Sequence, residues 1–119
     1  MTISIPATEK APQVARGAVR EILGDSEHTD QVLLATSEVV SNAVQHGELN
    51  QDDAIDVSVE IEPDRVRVSV AHPGPDFRWD REEPDRDTPG GFGFHILGLL
   101  ASRWDVAHAH GRTETWFEI

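Results

Sequence analysis

The stretch Glu38-Val-Val-Ser-Asn42-Ala-Val-Gln-His46-Gly47 decides how this chain is interpreted, because it spaces a carboxylate, an amide and an imidazole four residues apart. In an α-helix a step of four residues advances only about 40° around the axis, so Glu38, Asn42 and His46 form one polar ridge. The sequence therefore predicts a helix that ends at Gly47 and carries this ridge along its length.

Apolar residues occupy the neighbouring arc of the same helix and predict that it packs on a core. They are Val32, Leu33, Val39, Val40, Ala43 and Val44, and Thr36 lies on the same arc. The ridge then follows the edge of a buried face, where a carboxylate and an amide oxygen are suited to holding a metal ion and polarising a hydroxyl or a water. A solvated helix face needs polar residues at the same positions, so this stretch alone leaves both interpretations open.

Length and charge limit the possible functions. The chain has 119 residues, no cysteine, and 22 acidic against 10 basic residues, which gives a formal net charge of −12. We expect one domain over 1–119, and the acidic field disfavours direct binding to nucleic acid. The sequence has no apolar run of about 18 residues and no signal-type start, which predicts no membrane segment and a cytoplasmic location.

Hydrophobic periodicity predicts the order of the elements. Alternation of apolar and polar residues predicts strands at 2–6, 55–61, 65–70, 103–109 and 113–119. Helical spacing predicts helices at 11–23, from a cap at Asp25 or Ser26 to Gly47, and at 94–101. This order predicts an α+β fold, a two-layer sandwich of about three helices on one mixed, largely antiparallel sheet.

A second chemical signal is the glycine-rich start of the third predicted helix, Gly90-Gly91-Phe92-Gly93. Glycine lets backbone N–H groups approach an anion closely, and the positive end of a helix dipole favours negative charge there. Gly90, Gly91 and Gly93 are therefore placed to cradle phosphates, although a hinge with a tight turn would use the same residues.

Three stretches, in this order, resemble the nucleotide-binding motifs of the GHKL superfamily, and within it the bacterial anti-sigma-factor serine kinases. Residues 38–47 are similar to the N box. Residues 72–77, His-Pro-Gly-Pro-Asp-Phe, stand where the first glycine box, Asp-Pro-Gly-Pro-Gly-Phe, is expected, and residues 91–96, Gly-Phe-Gly-Phe-His-Ile, are similar to the second. The resemblance covers nearly the whole chain and implies the Bergerat-type ATP-binding fold. Since the predicted strands run from residue 2 to the C-terminus, we expect a self-contained regulatory protein.

The resemblance also implies roles for residues of the helical ridge. Glu38 would be the general base that draws the proton from a partner's serine hydroxyl, or would orient that hydroxyl toward the γ-phosphate. Asn42 would hold Mg²⁺ through its side-chain oxygen, with the ion bridging the phosphates of ATP. His46 would support the same end of the helix, either through a contact to the nucleotide or as a structural residue.

The glycine boxes and the last strand would complete the nucleotide site. Gly74 belongs to the first box, and Gly91 and Gly93 would offer backbone donors to the phosphates, under a lid formed by residues 76–90. Thr115 would lie beneath the adenine. The implied partners are an anti-anti-sigma protein of the STAS type, which accepts the phosphate, and a sigma factor, which is held inactive while bound. The family also leads us to expect a homodimer.

Two positions depart from the family pattern and bear on ATP binding. His72 stands where the family has an aspartate that accepts the adenine amino proton, and a poorly paired amino group would lose about 1.5–3 kcal/mol, roughly 10–100-fold in affinity. Asp76 stands where glycine is expected, and it would crowd the nucleotide or repel its phosphates. Two functions stay open: a Mg-ATP-dependent serine kinase, and a pseudokinase that binds partners but uses nucleotide weakly or not at all.

Overall fold

The computed structural model of the protein describes residues 1–74 and 91–119, and at 91–95 it describes the backbone alone. Within these residues the chain forms three helices and five strands. In chain order they are β1 (Thr2–Pro6), α1 (Ala11–Leu23), α2 (Thr29–His46), β2 (Ala54–Glu62), β3 (Arg65–Pro73), α3 (Gly91–Leu100), β4 (Arg103–Ala109) and β5 (Arg112–Glu118).

The five strands form one sheet in the order β1-β2-β3-β5-β4, and every neighbouring pair is antiparallel. The predicted α+β sandwich is confirmed, and its sheet is wholly antiparallel in the part of the chain that is described. Two hairpins set the register. Glu62 pairs with Arg65 in one, and His110 and Gly111, both at positive φ, turn between β4 and β5 in the other.

The helices cover one face of the sheet and enclose the core. Alternate residues of the strands point to this inner face because successive side chains of a strand face opposite ways. The core joins them to the apolar stripes of α1 and α2, and its fully buried members include Val19, Val32, Val40, Ile55, Val57, Val68, Val70, Leu97 and Phe117. Helix α2 is central, since it packs against α1, α3 and β3.

The start of α2 differs from the prediction. The helix begins at Thr29, and His28 rather than Asp25 or Ser26 occupies the N-cap position. The backbone N–H of Ser26 donates to Thr29 Oγ1 (3.0 Å), and that hydroxyl donates to the Gly24 carbonyl (2.8 Å). These bonds hold residues 24–29 in a tight connection between α1 and α2, so the polar residues expected to cap the helix stabilise a turn instead.

Candidate functional site

The polar ridge of α2 lies where the sequence predicts, along the edge of the buried face. Glu38 and His46 are half-buried, and Asn42 is only 3% exposed. A solvated helix face would leave an amide at this position open to water. The burial of Asn42 therefore excludes the solvated interpretation at the centre of the ridge.

The Asn42 amide has an unsatisfied donor. Its Nδ2 atom is buried and has no hydrogen-bond partner among the described residues. Leaving such a donor unpaired costs about 1–3 kcal/mol, so it is rare in a folded protein unless something else binds there. An amide has an acceptor end and a donor end, and Mg-ATP offers a cation for the first and phosphate oxygens for the second. The side chain fits this group.

Helix α2 is fixed next to Glu38 by a contact to α1. Ser37 is buried, and its Oγ atom accepts a hydrogen bond of 2.7 Å from the Arg16 guanidinium. Because Ser37 precedes Glu38 in the helix, this bond restrains the helix turn that carries the carboxylate. The candidate base therefore stands on a rigid element, with its own side chain partly open to solvent.

A row of polar side chains crosses the inner face of the sheet opposite the end of α2. His72 on β3 pairs directly with Thr113 on β5, and Thr113 pairs in turn with His108 on β4. His72 is 4% exposed and Thr113 is 1% exposed. The Thr113 hydroxyl lies 3.0 Å from His108 Nδ1. These three residues form a continuous polar floor between three strands.

Thr115 is the residue of β5 predicted to lie beneath the adenine, and Thr113 is not among the predicted site residues. Thr115 is also buried on the inner face of β5, but its partners across the sheet are Val70 and Val106. Thr113 is the threonine that stands opposite His72. The alternation on β5 puts both threonines on one face, and only the strand register shows which of them reaches the histidine.

The imidazole of His72 has a defined proton arrangement. Its Nδ1 atom lies 2.9 Å from the Pro73 carbonyl oxygen, and since a carbonyl only accepts, Nδ1 carries the proton. Burial lowers the pKa of His72 below its ordinary 6.5, and the positive charge of Arg112 and the neighbouring His108 lower it further, against the Pro73 bond, which raises it. The ring is therefore neutral at pH 7, with Nε2 as an acceptor.

Gly47 brings the end of α2 directly against His72. A Cβ atom at Gly47 would lie 3.2 Å from His72 Cε1 and only 2.4 Å from the carbonyl oxygen of Ala43. Gly74 adjoins the same place, because its N–H donates to the Gly111 carbonyl (3.1 Å) and a Cβ on it would meet the Gly47 carbonyl at 3.6 Å. The helical stretch 38–47 and the start of the first glycine stretch thus meet in space.

The second glycine stretch lies inside α3 rather than ahead of it. The helix begins at Gly91, not at Phe94, so Gly91 and Gly93 belong to its first turn. The first four N–H groups of a helix have no acceptor within it, and they lie at the positive end of the helix dipole. The two glycines therefore keep the capacity to bind an anion, at the start of a helix that packs against α2.

Several predicted features fall outside the described residues. They are Asp76, Gly90 and the lid at 76–90. Within residues 1–74 and 91–119, no group of three or more His, Asp or Glu side chains is arranged to hold a metal ion. A Mg²⁺ ion held by one amide and by nucleotide phosphates needs no such group. No helix in these two segments is both long enough and apolar enough to cross a membrane.

The ridge on α2, the polar floor of the sheet and the glycine-bearing start of α3 define a GHKL-type domain. Residues 5–119 match the family of histidine kinase-like ATPase domains, and the chain belongs to that family. No curated protein matches the chain.

Solved structures share the fold. The chain is similar to the RsbU and RsbW domains of Rv1364c from Mycobacterium tuberculosis, with a TM-score of 0.74 and 26% identity over 99% of this chain and 30% of that one. The histidine kinase domain of the blue-light activated kinase of Erythrobacter litoralis EL346 gives a TM-score of 0.61 and 19% identity, covering 97% of this chain and 61% of that one. The catalytic domain of histidine kinase ThkA gives 0.64 and 15%, covering 100% and 95%. The chain thus spans less than a third of the Rv1364c structure, and the two histidine kinases show the fold alone.

Proposed function

We propose that this domain binds Mg-ATP, phosphorylates a serine of an anti-anti-sigma protein of the STAS type, and binds the sigma factor that this protein controls. The observation that carries the proposal is the buried Asn42 amide with its unpaired Nδ2, one helical turn from the half-buried carboxylate of Glu38. The likeness to a structure that contains an RsbW domain supports a regulatory kinase over a sensor histidine kinase.

The chain's own residues divide the work of phosphoryl transfer. Asn42 would hold Mg²⁺ through Oδ1 and donate from Nδ2 to a phosphate oxygen. Mg²⁺, when bound, supplies positive charge that offsets the negative charge of the phosphates. The first N–H groups of α3, at Gly91 and Gly93, would donate to the phosphates.

Glu38 is placed to move the proton. As the serine Oγ forms its bond to the γ-phosphorus, the bond between that phosphorus and the bridging oxygen breaks and ADP leaves. The hydroxyl proton passes to the Glu38 carboxylate. The half-buried position of Glu38 suits this role, because the carboxylate is anchored by its helix and still reachable by a side chain of another protein.

Partners and location follow from this function. A sigma factor and its antagonist act in the cytoplasm, so we place the domain there. The family leads us to propose a homodimer as the working form. The net charge of −12 argues that the domain acts on transcription through proteins rather than by touching DNA.

A second candidate function rests on His72. If a neutral, buried imidazole is too weak an acceptor for the adenine amino group, the domain is a pseudokinase that keeps the fold and the partner surface but binds nucleotide poorly. The intact pair of Glu38 and Asn42 favours the kinase.

Thermal unfolding with and without millimolar Mg-ATP separates the two candidates. For the kinase we expect a rise in Tm, since a ligand at 100 times its Kd adds about 2.7 kcal/mol to the free energy of unfolding. Glu38→Gln should keep this rise and lose phosphate transfer to the purified antagonist. The absence of any Mg-ATP effect on the wild type would reject the kinase in favour of the pseudokinase.

A further inference from the structure

His72 gives the proposed nucleotide site a property that a carboxylate would not. We infer that the site reads the nucleotide base through Nε2 of His72, so that it prefers a 6-amino purine when the ring is neutral and a 6-oxo purine when the ring is protonated. This inference rests on the proposed function, because it assigns the base specificity of the same site.

The proton on Nδ1 decides what Nε2 offers. The Pro73 carbonyl can only accept, so its 2.9 Å contact holds the Nδ1 proton in place. In the neutral ring Nε2 is then a bare acceptor, which matches the amino group of adenine. In the protonated ring Nε2 carries a hydrogen and becomes a donor, which matches the O6 atom of a 6-oxo purine. The Nδ1 bond is the same in both states, so the ring need not move.

Close packing fixes the position of the ring. The end of α2 approaches so tightly that a Cβ atom on Gly47 would lie 3.2 Å from His72 Cε1, and a Cβ atom on Gly74 would lie 3.6 Å from Nδ1 and 3.8 Å from Cε1. Thr113 stands directly across the sheet. The side chain is 4% exposed, so water competes weakly for its hydrogen bonds. With Nδ1 bonded to Pro73 and Cε1 packed at the end of α2, Nε2 is the ring nitrogen left to bind a ligand.

The charges around His72 favour the neutral ring near pH 7. Burial lowers its pKa most, the Pro73 hydrogen bond opposes this, and Arg112 on β5 and His108 on β4 lower the pKa further. Arg112 is itself paired with Asp56 at 2.9 Å. His46 and Glu48 stand on either side of Gly47 at the end of α2 and are further titratable groups near this ring. Acidification therefore acts on base recognition through protonation of His72, and variants of His108 and His46 serve as controls.

ATP and ITP form a matched pair for the test, because they differ only at position 6 of the base and at the adjacent N1, which carries a hydrogen in ITP alone. The triphosphate groups of the two nucleotides take up protons alike, so phosphate protonation changes both Kd values equally and leaves their ratio unchanged. With Mg²⁺ present, we expect ATP to bind roughly tenfold more tightly than ITP at about pH 8, and the preference to fall to parity or reverse at about pH 5.5. Calorimetry on the full chain measures both constants.

Variants assign the effect to His72. His72→Gln should remove the pH dependence of the ratio, because its amide both donates and accepts and does not titrate. His72→Asp should favour ATP at both pH values. His46→Gln should keep the wild-type dependence. His108→Gln should keep the change of preference but move its midpoint to higher pH, because His108 lowers the pKa of His72. Long-range ¹⁵N NMR of the ligand-free protein should show the proton on Nδ1 of His72 and none on Nε2.

Each outcome is decisive. A ratio that stays constant with pH in the wild type, or a proton on Nε2 at pH 7, overturns this inference and leaves the proposed function standing. Binding by His72→Asp but not by the wild type also overturns it and favours the pseudokinase. If neither nucleotide binds the wild type or His72→Asp at either pH, both the proposed function and this inference fail.

Discussion

At the scale of single residues, burial and pairing decide what each side chain of the site can do. Asn42 and Glu38 lie one helical turn apart, yet one is enclosed and the other is partly open. His72 is enclosed as well, and its Nδ1 proton is committed to Pro73. The amide suits a bound ion, the carboxylate suits a proton exchanged with another protein, and the imidazole suits the recognition of a base.

Asn42→Ala tests whether the amide serves a ligand or the fold. In the ligand-free protein we expect the free energy of unfolding to change by less than about 1 kcal/mol, because the variant removes an unpaired donor as well as a buried side chain. The stabilisation by Mg-ATP should disappear. Urea denaturation with and without Mg-ATP measures both effects.

Gln45→Ala is the control for this substitution, because Gln45 is exposed on the same helix. It should keep both the ligand-free stability and the response to Mg-ATP. A loss of several kcal/mol in ligand-free Asn42→Ala would contradict the prediction and show that the amide is a structural group.

His72 should make stability depend on pH. Its pKa in the folded protein lies below the ordinary 6.5, so between these two values the unfolded chain binds more protons at this group than the folded chain does. The free energy of unfolding therefore rises with pH through this window, and acidification below about pH 6.5 destabilises the protein. His72→Gln should flatten the slope.

Urea denaturation of wild type and His72→Gln at several pH values between about 5 and 7.5 measures the slopes. Parallel slopes for the two proteins would show that burial of His72 does not set its protonation.

At the scale of elements, the site is made where α2 ends against β3. Gly47 closes the helix and touches the His72 ring, and Gly74 follows the strand and lies against Gly47. The packing at Gly47 depends on the absence of a side chain, whereas a Cβ atom at Gly74 would fit at ordinary contact distances. The two glycines therefore form a natural pair for comparison.

Gly47→Ala should destabilise the protein by about 1–3 kcal/mol, since its Cβ would overlap the Ala43 carbonyl and press on His72. Gly74→Ala should change stability by less than about 0.5 kcal/mol, because the nearest atoms would lie at ordinary contact distances of 3.6 Å or more. Urea denaturation measures the stability of both variants, and the NMR signals of His72 report whether its surroundings change. Equal stability of the two variants would argue against close packing between Gly47 and the His72 ring.

At the scale of the whole molecule, the outer face of the sheet has its own organisation. Glu118 on β5 is 3% exposed and lies within ion-pair distance of Arg103 (3.0 Å), Arg65 (3.5 Å) and Arg67 (3.8 Å). Arg67 also stacks over Trp116 at 4.0 Å from the ring centroid. One carboxylate thus ties together β3, β4 and β5 on the side away from the helices.

Glu118→Gln should lower the free energy of unfolding by about 1–3 kcal/mol, because it removes a charge that the three arginines share and keeps nearly the same volume. The arginines are partly exposed, so solvent screening limits the loss. Glu114→Gln, an exposed position on the same face, is the control and should be nearly neutral. A neutral Glu118→Gln would show that the cluster adds nothing to stability.

The sequence by itself determined the helices, the strands, their order and the polar ridge of α2, because these depend on periodicities between residues that are close in the chain. It also determined the family, through motifs within short stretches. Local pattern failed where side chains had a choice of partner, as at Ser26 and Thr29, which stabilise a turn instead of capping α2.

Only the tertiary structure decided how the site is assembled. It placed Thr113 rather than Thr115 opposite His72, enclosed the amide of Asn42, and pressed Gly47 against the imidazole. The physical reason is that strand register, burial and tautomer depend on atoms brought together from distant parts of the chain. The hydrophobic periodicity of a single segment contains no information about these contacts.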